Sequence, residues 1–544
     1  MSDPNSYLVL KNGVFYTLDK NVPWVTAMAI SGEKIVGIGS NEDVESFISP
    51  DTKVLDLGGK LVFPSFVDAH THPSHAVDLF ENISLYNLDS LEKYSLTMKE
   101  FIADHPGRDF YRGSGWNNTL FPLQGPDKKF LDEIMPDKPI SLVSYDGHSL
   151  WVNSAALEKA NITRHTPDPD AGVIERDPGN GEPIGTLRET AMKLVDEVIP
   201  GYTAEEKLNT LISYQEMAFQ AGVTMCHDAM LDEDNITGFK ALETSGALRM
   251  NFRGSILIEP GRPTEQQIEY LLDQRANNRH PKFQTNTAKL FVDGVLEGGT
   301  AYLLEPYANQ DGFFGELIWD PGQLNEVCQA LDQEQVQIHI HVIGDAAARI
   351  ALDALEYAQQ HNGKRDARHM ITHLQLVAPE DILRFKQLGV IGIPNPYWFK
   401  VDEYYHVLAV PYLGEERAKI QYPMRSFIEA DVRMASASDF PVTIPFNPLI
   451  GIEIGVTRSP VGISTDKILW PEERVSLEDM ITSFTYNGAY SNFLEAKTGS
   501  LIVGKQADFV VLDQNIFGIP PAEIANTKIL QTFIDGEEVY AAAS

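Results

Sequence analysis

Apolar runs of strand length recur along the middle of the sequence, and helix-like stretches separate most of them. The runs lie at 61–69, 223–230, 248–257, 287–294, 336–344, 368–376, 390–396 and 432–442. Helix-like stretches between them include 264–278, 323–335, 346–360 and 379–388. About eight strand–helix units in succession are typical of a parallel barrel. The pattern therefore predicts an α/β fold with a (β/α)8 TIM-like barrel.

The two ends of the chain follow a different pattern. Residues 7–61 and 499–540 consist of short alternating runs separated by glycine-, asparagine- and aspartate-containing turns. Two β-rich ends around a different middle predict one small β-sandwich built from both termini. The predicted domains are a sandwich formed by 1–62 with 495–544, and a barrel at 63–494 that carries an insertion at about 79–222.

The composition of the chain indicates which partners and which cellular compartment to expect. The 544 residues carry a net charge of -34, which argues against nucleic acid and anionic membranes as partners. The two cysteines, Cys226 and Cys328, lie in apolar runs; this excludes a disulfide framework and fits a reducing compartment. No signal peptide and no apolar stretch of about 20 residues is visible. We expect a cytoplasmic protein with a small-molecule substrate, and a homodimer is one assembly to be considered.

The stretch FPSFVDAHTHPSH, at 63–75, carries the first candidate chemistry. It begins as a buried strand and ends with His70 and His72, which point to the same face of an extended strand. Two imidazoles on one face can bind one metal ion. Two polar residues at the exit of a strand are an equally good interpretation of this motif alone.

Metal-ligand residue types also occur on the other predicted strands. In a parallel barrel the functional residues lie at the carboxyl ends of the strands. The candidates there are His70, His72, Lys289, His341, His373 and Asp439. Each histidine taken singly is more often structural, but core packing does not explain why all of them occupy strand ends. The set therefore predicts a metal centre.

Lys289 is unusual because it lies inside the apolar strand TAKLFVDG. It could extend its amine to solvent or form a buried salt bridge with Asp293. Burial also lowers the pKa of a lysine and yields a neutral, nucleophilic amine. Such an amine can take up carbon dioxide, and the resulting carbamate can bridge two cations about 3.5–4 Å apart.

The motifs together resemble the amidohydrolase superfamily, and more narrowly its YtcJ-like branch, which includes N-substituted formamide deformylase. The resemblance spans nearly the whole chain. The segments that carry it are FPSFVDAHTHP, GSGW, DGHSLWVNSAAL, AKLFVDG, DGVLEGGTA, HVIGDAAARIALDAL, RHMITHLQLV, SDFPV, NPLIGIEIGVTR and GSLIVGKQADFVVLD.

The resemblance implies a metal-dependent hydrolase that cleaves an amide-type C–N bond, such as that of an N-formyl or N-acyl amine, with a metal-activated hydroxide. It implies two divalent metal ions, with zinc expected. His70, His72 and Asp439 would bind one ion, and His341 and His373 the other. Lys289, once carboxylated, would bridge them, and Asp439 would also carry the proton. His75 and His339 fall outside this pattern and are interpreted as structural or supporting.

Substrate contacts are predicted from both parts of the barrel domain. Trp116, Asp146 and His148 lie in the inserted segment and either face the substrate or support the insertion. Trp398, in the segment NPYWF after the seventh strand, is a candidate for an apolar pocket wall. Glu297 could hold a substrate amine or cap a loop.

Three alternative functions remain open from the sequence. A deaminase with a single metal ion would not need the bridging Lys289. An esterase or lactonase could use the same metal site. A catalytically inactive relative that acts as a binding protein would be expected to lack some of the ligands, and the sequence contains the full set.

Overall fold

Seven parallel strands form a nearly closed barrel in the computed structural model, which describes residues 7–86, 88–144, 147–170, 172–296, 298–444, 446–463 and 467–543. The strands are β1 (Phe66–Thr71), β2 (Val223–Leu231), β3 (Asn251–Leu257), β4 (Phe283–Phe291), β5 (Gln337–Val342), β6 (Met370–His373) and β7 (Ile391–Pro394). Each strand pairs in parallel with the next along the chain, and short strand Arg279–His280 pairs with β4. The predicted barrel is confirmed.

The eighth position of the barrel differs from the prediction. Segment 432–439 lies between β7 and β1, but Gly392 and Met434 form only an isolated bridge. The segment is nevertheless bonded on both sides: Ala435 N donates to the Gly392 carbonyl, and Asp439 N donates to the His70 carbonyl. Small buried residues such as Ala435 let it fit between its neighbours without a regular ladder. We call it the seam segment, and it closes the barrel where a strand was predicted.

Helices occupy most of the connections between the strands, close to the predicted stretches. Asp320 caps one of them by accepting hydrogen bonds from the backbone N–H groups of Gly322 and Gln323, and Pro321 stands at the first position, where no N–H is needed. The helices are Glu233–Ser245, Thr264–Asn277, Pro321–Gln333, Asp345–Asn362, Pro379–Leu388, Val410–Leu413, Glu415–Ala418, Met424–Glu429, Pro448–Thr457, Leu477–Ser483 and Tyr486–Ser491. Among the described residues, no helix is both long and apolar enough to span a bilayer.

Two further sheets form the predicted β-sandwich. One contains, in order, Lys34–Gly39, Ala27–Ser31, Tyr7–Lys11 and Lys53–Asp56. The other contains Glu537–Ala541, Ile529–Ile534, Phe509–Leu512, Leu61–Pro64, Val14–Tyr16 and Trp24–Val25. Leu10, Met28, Phe509 and Phe533 share one buried core, so both ends of the sequence build the same sandwich. The domain boundaries given above stay a prediction.

The chain divides into two compact units, residues 1–74 with 211–544 and residues 75–210. The second unit has a sheet with the order Gly172–Arg176, Pro183–Glu189, Ser149–Val152, Ile140–Ser144, Tyr111–Trp116 and Ile83–Ser84. Its helices are Val77–Glu81, Leu91–Asp104, Lys129–Ile134, Ser154–Lys159 and Lys193–Asp196, and helix Ala204–Gln220 begins in it. The predicted insertion at about 79–222 overlaps this unit.

Candidate metal centre

Three candidate ligands meet where β1 ends beside the seam segment. Nε2 of His70 and Nε2 of His72 each lie 3.2 Å from Oδ1 of Asp439. The alternation of side chains along β1 places both histidines on one face, and the backbone bond from Asp439 to His70 brings the carboxylate to them. Ligand atoms of His70, His373 and Asp439 also lie within 4.8 Å of one another. This grouping fits a divalent cation.

His341 and His373 extend the cluster along the next strand ends. Their ring centroids are 4.6 Å apart, and the His373 ring lies 5.0 Å from that of His70. Nδ1 of His373 lies 2.8 Å from Oδ1 of Asn395, and Nε2 of His341 lies 3.1 Å from the Gly294 carbonyl. Because these oxygens accept, each of those nitrogens carries the proton. Nε2 of His373 and Nδ1 of His341 therefore keep the lone pairs that a metal ion requires.

Burial sets the charge of the cluster. It lowers the pKa of His373 to about 4, and it lowers the pKa values of His70 and His341 well below the usual value. Burial also acts to raise the pKa of Asp439, but the hydrogen bond from His72 and the electrostatic influence of His373, His72 and Lys289 lower it overall. At neutral pH these groups are neutral imidazoles and an ionised carboxylate, which are the forms that bind metal ions.

Lys289 is fully buried on β4, and the described residues offer its Nζ no hydrogen-bond partner. The amine lies 4.6 Å from the centroid of the Phe291 ring, and burial lowers its pKa to about 7. The alternative of a buried salt bridge to Asp293 is not supported. Asp293 instead accepts hydrogen bonds from the backbone N–H groups of Tyr302, Ile343 and Gly344.

A buried row of polar side chains lies beneath the cluster; the sequence indicated His70 and a structural or supporting His339, but not the other members. It starts at the Gly488 carbonyl, which accepts from Nδ2 of Asn492. Oδ1 of Asn492 lies 2.7 Å from Nδ1 of His227, so that nitrogen carries the proton. Nε2 of His227 then accepts from the hydroxyl of Ser255, at 2.7 Å.

The same row ends at the first predicted ligand. Ser255 Oγ has donated its proton to His227, so it accepts from Nδ1 of His339 at 3.4 Å. Nε2 of His339 then accepts from Nδ1 of His70, at 2.8 Å. His70 keeps a lone pair on Nε2, a buried nitrogen that forms no hydrogen bond with the described residues although it faces Asp439. A metal ion would satisfy this nitrogen, and the donor set therefore fits one.

A cavity of about 370 Å³ opens at the cluster. Trp398 lies in its wall, with its ring stacked on His373 at 5.5 Å and its Nε1 donating to Oγ1 of Thr443 at 3.0 Å. The lining residues are Val295, His341, Ile343, His373, Gln375, Trp398, Lys400, Asp402, Tyr404, Tyr405, Gln421, Tyr422, Asp439, Val442 and Leu469. Trp398 is thus adjacent to the candidate ligands, and its role as a wall for the substrate stays a prediction.

The remaining predicted contacts lie elsewhere or outside the described residues. Trp116 is fully buried in the core of the second unit, where Nε1 donates to the Leu142 carbonyl at 2.8 Å. This packing favours the alternative in which Trp116 supports the insertion. The His148 side chain is 68% exposed and lies 3.2 Å from Glu189. Asp146 and Glu297 lie outside the described residues.

The sequence model that represents the amidohydrolase family matches residues 53–540 of this chain. The chain belongs to this family. The match takes in β1 and the strands that carry the candidate ligands, together with much of the sandwich. The resemblance found in the sequence is confirmed, and the relatives below support its YtcJ-like branch.

Three relatives match nearly the whole chain. Protein LONG AFTER FAR-RED 3 of Arabidopsis thaliana is 30% identical over 98% of this chain and 91% of its own length. Putative amidohydrolase YtcJ of Bacillus subtilis is 30% identical over 97% of this chain and 98% of its own. N-substituted formamide deformylase of Arthrobacter pascens is 26% identical over 97% of each chain.

A solved structure agrees with the fold. The uncharacterized metal-dependent hydrolase from Pyrococcus furiosus superposes with a TM-score of 0.74 at 26% identity, covering 94% of this chain and 99% of that one. The superposition therefore extends over both the barrel and the sandwich of this chain.

Proposed function

We propose that this protein is a metal-dependent hydrolase that cleaves the C–N bond of a small N-formyl or N-acyl amine. One observation carries the proposal: His70 and His72 converge on Asp439 at the strand ends, with His341, His373 and Lys289 close by on the neighbouring strands. The deformylase of Arthrobacter pascens, which matches along 97% of its length, supports an amide-type substrate.

His70, His72 and Asp439 would hold one metal ion, and His341 and His373 a second. Imidazole nitrogens with carboxylate oxygens suit zinc, which we propose as the metal. Divalent ions bound here would polarise the substrate carbonyl and make water a stronger nucleophile at neutral pH. The buried row reaches His70 through His339. This contact keeps the Nε2 atom of His70 turned toward the proposed metal position.

Lys289 is proposed to be carboxylated. Its neutral amine would add to the carbon of carbon dioxide, forming an N–C bond and releasing one proton, and the product is an anion with two oxygens. The support is a buried Nζ that has no hydrogen-bond partner among the described residues and whose pKa is lowered to about 7. As a carbamate, the side chain would offset the positive charge brought by two ions.

Asp439 is proposed to move the proton. Its lowered pKa keeps the carboxylate ionised at neutral pH, so that it can accept a proton from the attacking water. It then returns this proton to the nitrogen of the leaving amine. Trp398, stacked on the His373 ring, would contribute an apolar wall beside this step.

A reducing, cytoplasmic location is also proposed, and the two buried free cysteines support it. Esterase, lactonase and deaminase activities use related chemistry, so the test must separate them from amide hydrolysis.

The test combines metal analysis of the purified protein with a panel of N-formyl and N-acyl amines, the matched esters, and ring amines. The proposal expects two tightly bound ions per chain and the release of an amine with the corresponding acid. Ammonia release with one ion per chain would favour a deaminase instead. Hydrolysis of esters without any amide turnover would overturn the C–N assignment.

A further inference from the structure

Two glutamines in the cavity wall form a hydrogen-bonded relay with a defined direction. Nε2 of Gln421 donates to the Ala418 carbonyl at 2.6 Å. A backbone carbonyl only accepts, so the amide of Gln421 is turned with its nitrogen toward Ala418. Oε1 of Gln421 is then left to accept from Nε2 of Gln375, which lies 2.6 Å away. The donor-to-acceptor direction of both hydrogen bonds is thereby fixed.

Gln375 presents the end of this relay to the cavity. Its amide nitrogen is used by Gln421, and no described residue donates a hydrogen bond to its Oε1. Gln375 lines the cavity and stands two residues after His373 at the end of β6. The position next to the ligand cluster therefore offers a hydrogen-bond acceptor rather than a donor.

Arg458 holds the backbone beside the two glutamines in place. It is fully buried, and its guanidinium donates to the carbonyls of Gln421, Tyr422 and Leu469 at 2.8, 3.0 and 2.9 Å. In addition, Tyr422 N donates to the Gln375 carbonyl at 2.9 Å. The backbones that carry both glutamines are thus tied together, which limits the freedom of either amide to turn.

Outside the ligand cluster, the rest of the wall contributes little net charge. Lys400 and Asp402 lie 3.6 Å apart and offset each other. Aromatic and aliphatic side chains fill much of the remaining lining: Val295, Ile343, Trp398, Tyr404, Tyr405, Tyr422, Val442 and Leu469. Such a wall suits a neutral, apolar substituent.

We infer that the cavity selects secondary amides, in which the nitrogen next to the scissile carbonyl carries one hydrogen and one apolar substituent. The amide N–H donates to Oε1 of Gln375, and the substituent lies against the aromatic wall. A tertiary amide or an ester has no such hydrogen and leaves the acceptor of Gln375 unmatched. This inference rests on the proposed function and names the substrate class of the same site.

The test uses the metal-loaded full-length protein with the formyl and acetyl derivatives of 2-phenylethylamine and with their N-methyl analogues. We expect kcat/KM to be about 10- to 100-fold higher for the secondary amides, the range for leaving a buried acceptor unmatched. Gln375→Met should remove most of this preference. Gln421→Met should weaken it, because the amide of Gln375 becomes free to turn.

Gln215→Met is the matched control. Gln215 is also a buried glutamine whose amide is bonded to backbone groups, but it lies outside the cavity lining. Its replacement should change stability without changing the preference for secondary amides.

Equal turnover of secondary and N-methylated amides by the unaltered protein would overturn the inference while leaving the proposed function intact. A preference that persists undiminished in both Gln375→Met and Gln421→Met would also overturn it, since the cause would then be the bulk of the methyl group. Failure to hydrolyse any amide would remove the proposed function itself and this inference with it.

Discussion

Nδ1 of His70 lies 2.8 Å from Nε2 of His339, and this contact decides which nitrogen of His70 faces the candidate metal position. The proton positions follow from the Gly488 carbonyl at the far end of the buried row. A candidate ligand on β1 is thereby oriented by residues on β2, β3 and β5. Outer partners of this kind typically alter metal affinity by about 10- to 100-fold when they are removed.

Replacing Ser255 by alanine should weaken metal binding without removing a ligand. The change interrupts the row between His227 and His339, so that His70 is no longer held in one protonation form. We expect the metal dissociation constant to rise by about 10-fold in competition with a chromophoric chelator. Ser65→Ala is the control, because Ser65 is another buried serine, bonded to Thr224. An equal loss of affinity in both variants would indicate a general packing effect.

His70→Ala and His72→Ala should each empty at least one metal position and abolish hydrolysis, since both imidazoles converge on Asp439. The barrel should still fold, because neither side chain belongs to its apolar core. Elemental analysis together with circular dichroism checks both expectations. Full metal content in the double variant would contradict the ligand assignment.

Asp439→Asn should keep most of the metal and lose at least about 100-fold in kcat on amides. Asparagine retains an oxygen ligand, but it cannot carry a proton. The acidic limb of the kcat profile reports the protonation of Asp439 and should disappear. An asparagine variant with nearly normal kcat and an unchanged acidic limb would mean that another residue moves the proton.

Lys289→Ala should lose activity and recover part of it when short carboxylic acids and metal ions are added. A small carboxylate can occupy the space of the missing carbamate, whereas an alanine variant cannot form one. Mass spectrometry under native conditions and a crystal structure of the metal-loaded protein check the modification directly. Electron density that ends at a bare amine would count against it.

The candidate site was only partly predictable. The two-residue period of a strand placed His70 and His72 together, and the parallel topology placed Lys289, His341, His373 and Asp439 at the same end. Contacts between distant segments carry no local signal. His227 and Asn492, for example, are 265 positions apart and meet only in the folded barrel.

One predicted element differs from the structure, and at one residue the structure favours one of two alternatives. The apolar and small residues of 432–439 suggest a strand, but the segment forms only an isolated bridge with β7, and scattered backbone hydrogen bonds join it to β7 and β1. For Trp116 the sequence left two alternatives open, substrate contact and support of the insertion, and its packing in a buried core favours the second. Local patterns do not distinguish these outcomes.

Asp508→Asn should change how stability depends on pH. Burial raises the pKa of Asp508 to about 6, and the described residues give its Oδ2 no hydrogen-bond partner. The folded state therefore holds the proton more tightly than the unfolded chain, whose carboxyl group titrates near about 4. The contribution of Asp508 to stability is fully present below about pH 4 and is lost as the pH rises through about 6.

An asparagine side chain does not titrate, so the variant does not lose stability as the pH rises. It should therefore be more stable than the parent protein above pH 6 by up to about 3 kcal/mol. Urea unfolding midpoints between pH 4 and 7 measure the difference. Asp513→Asn, at an exposed position of the same sandwich, is the control. Parallel pH curves for the parent and the Asp508 variant would show that the carboxyl group does not titrate in this range.

Strand Phe509–Leu512 borders Leu61–Pro64, which leads into β1 and His70. The neighbours of β1 in the barrel, β2 and the seam segment, also come much later in the chain. On the ribosome, His70 and His72 emerge first among the proposed ligands, and the seam segment that carries Asp439 follows only at residues 432–439. A nascent chain would offer a passing ion two histidines and no carboxylate from Asp439. We therefore expect any selection among metal ions to be made by the folded protein and not by the growing chain.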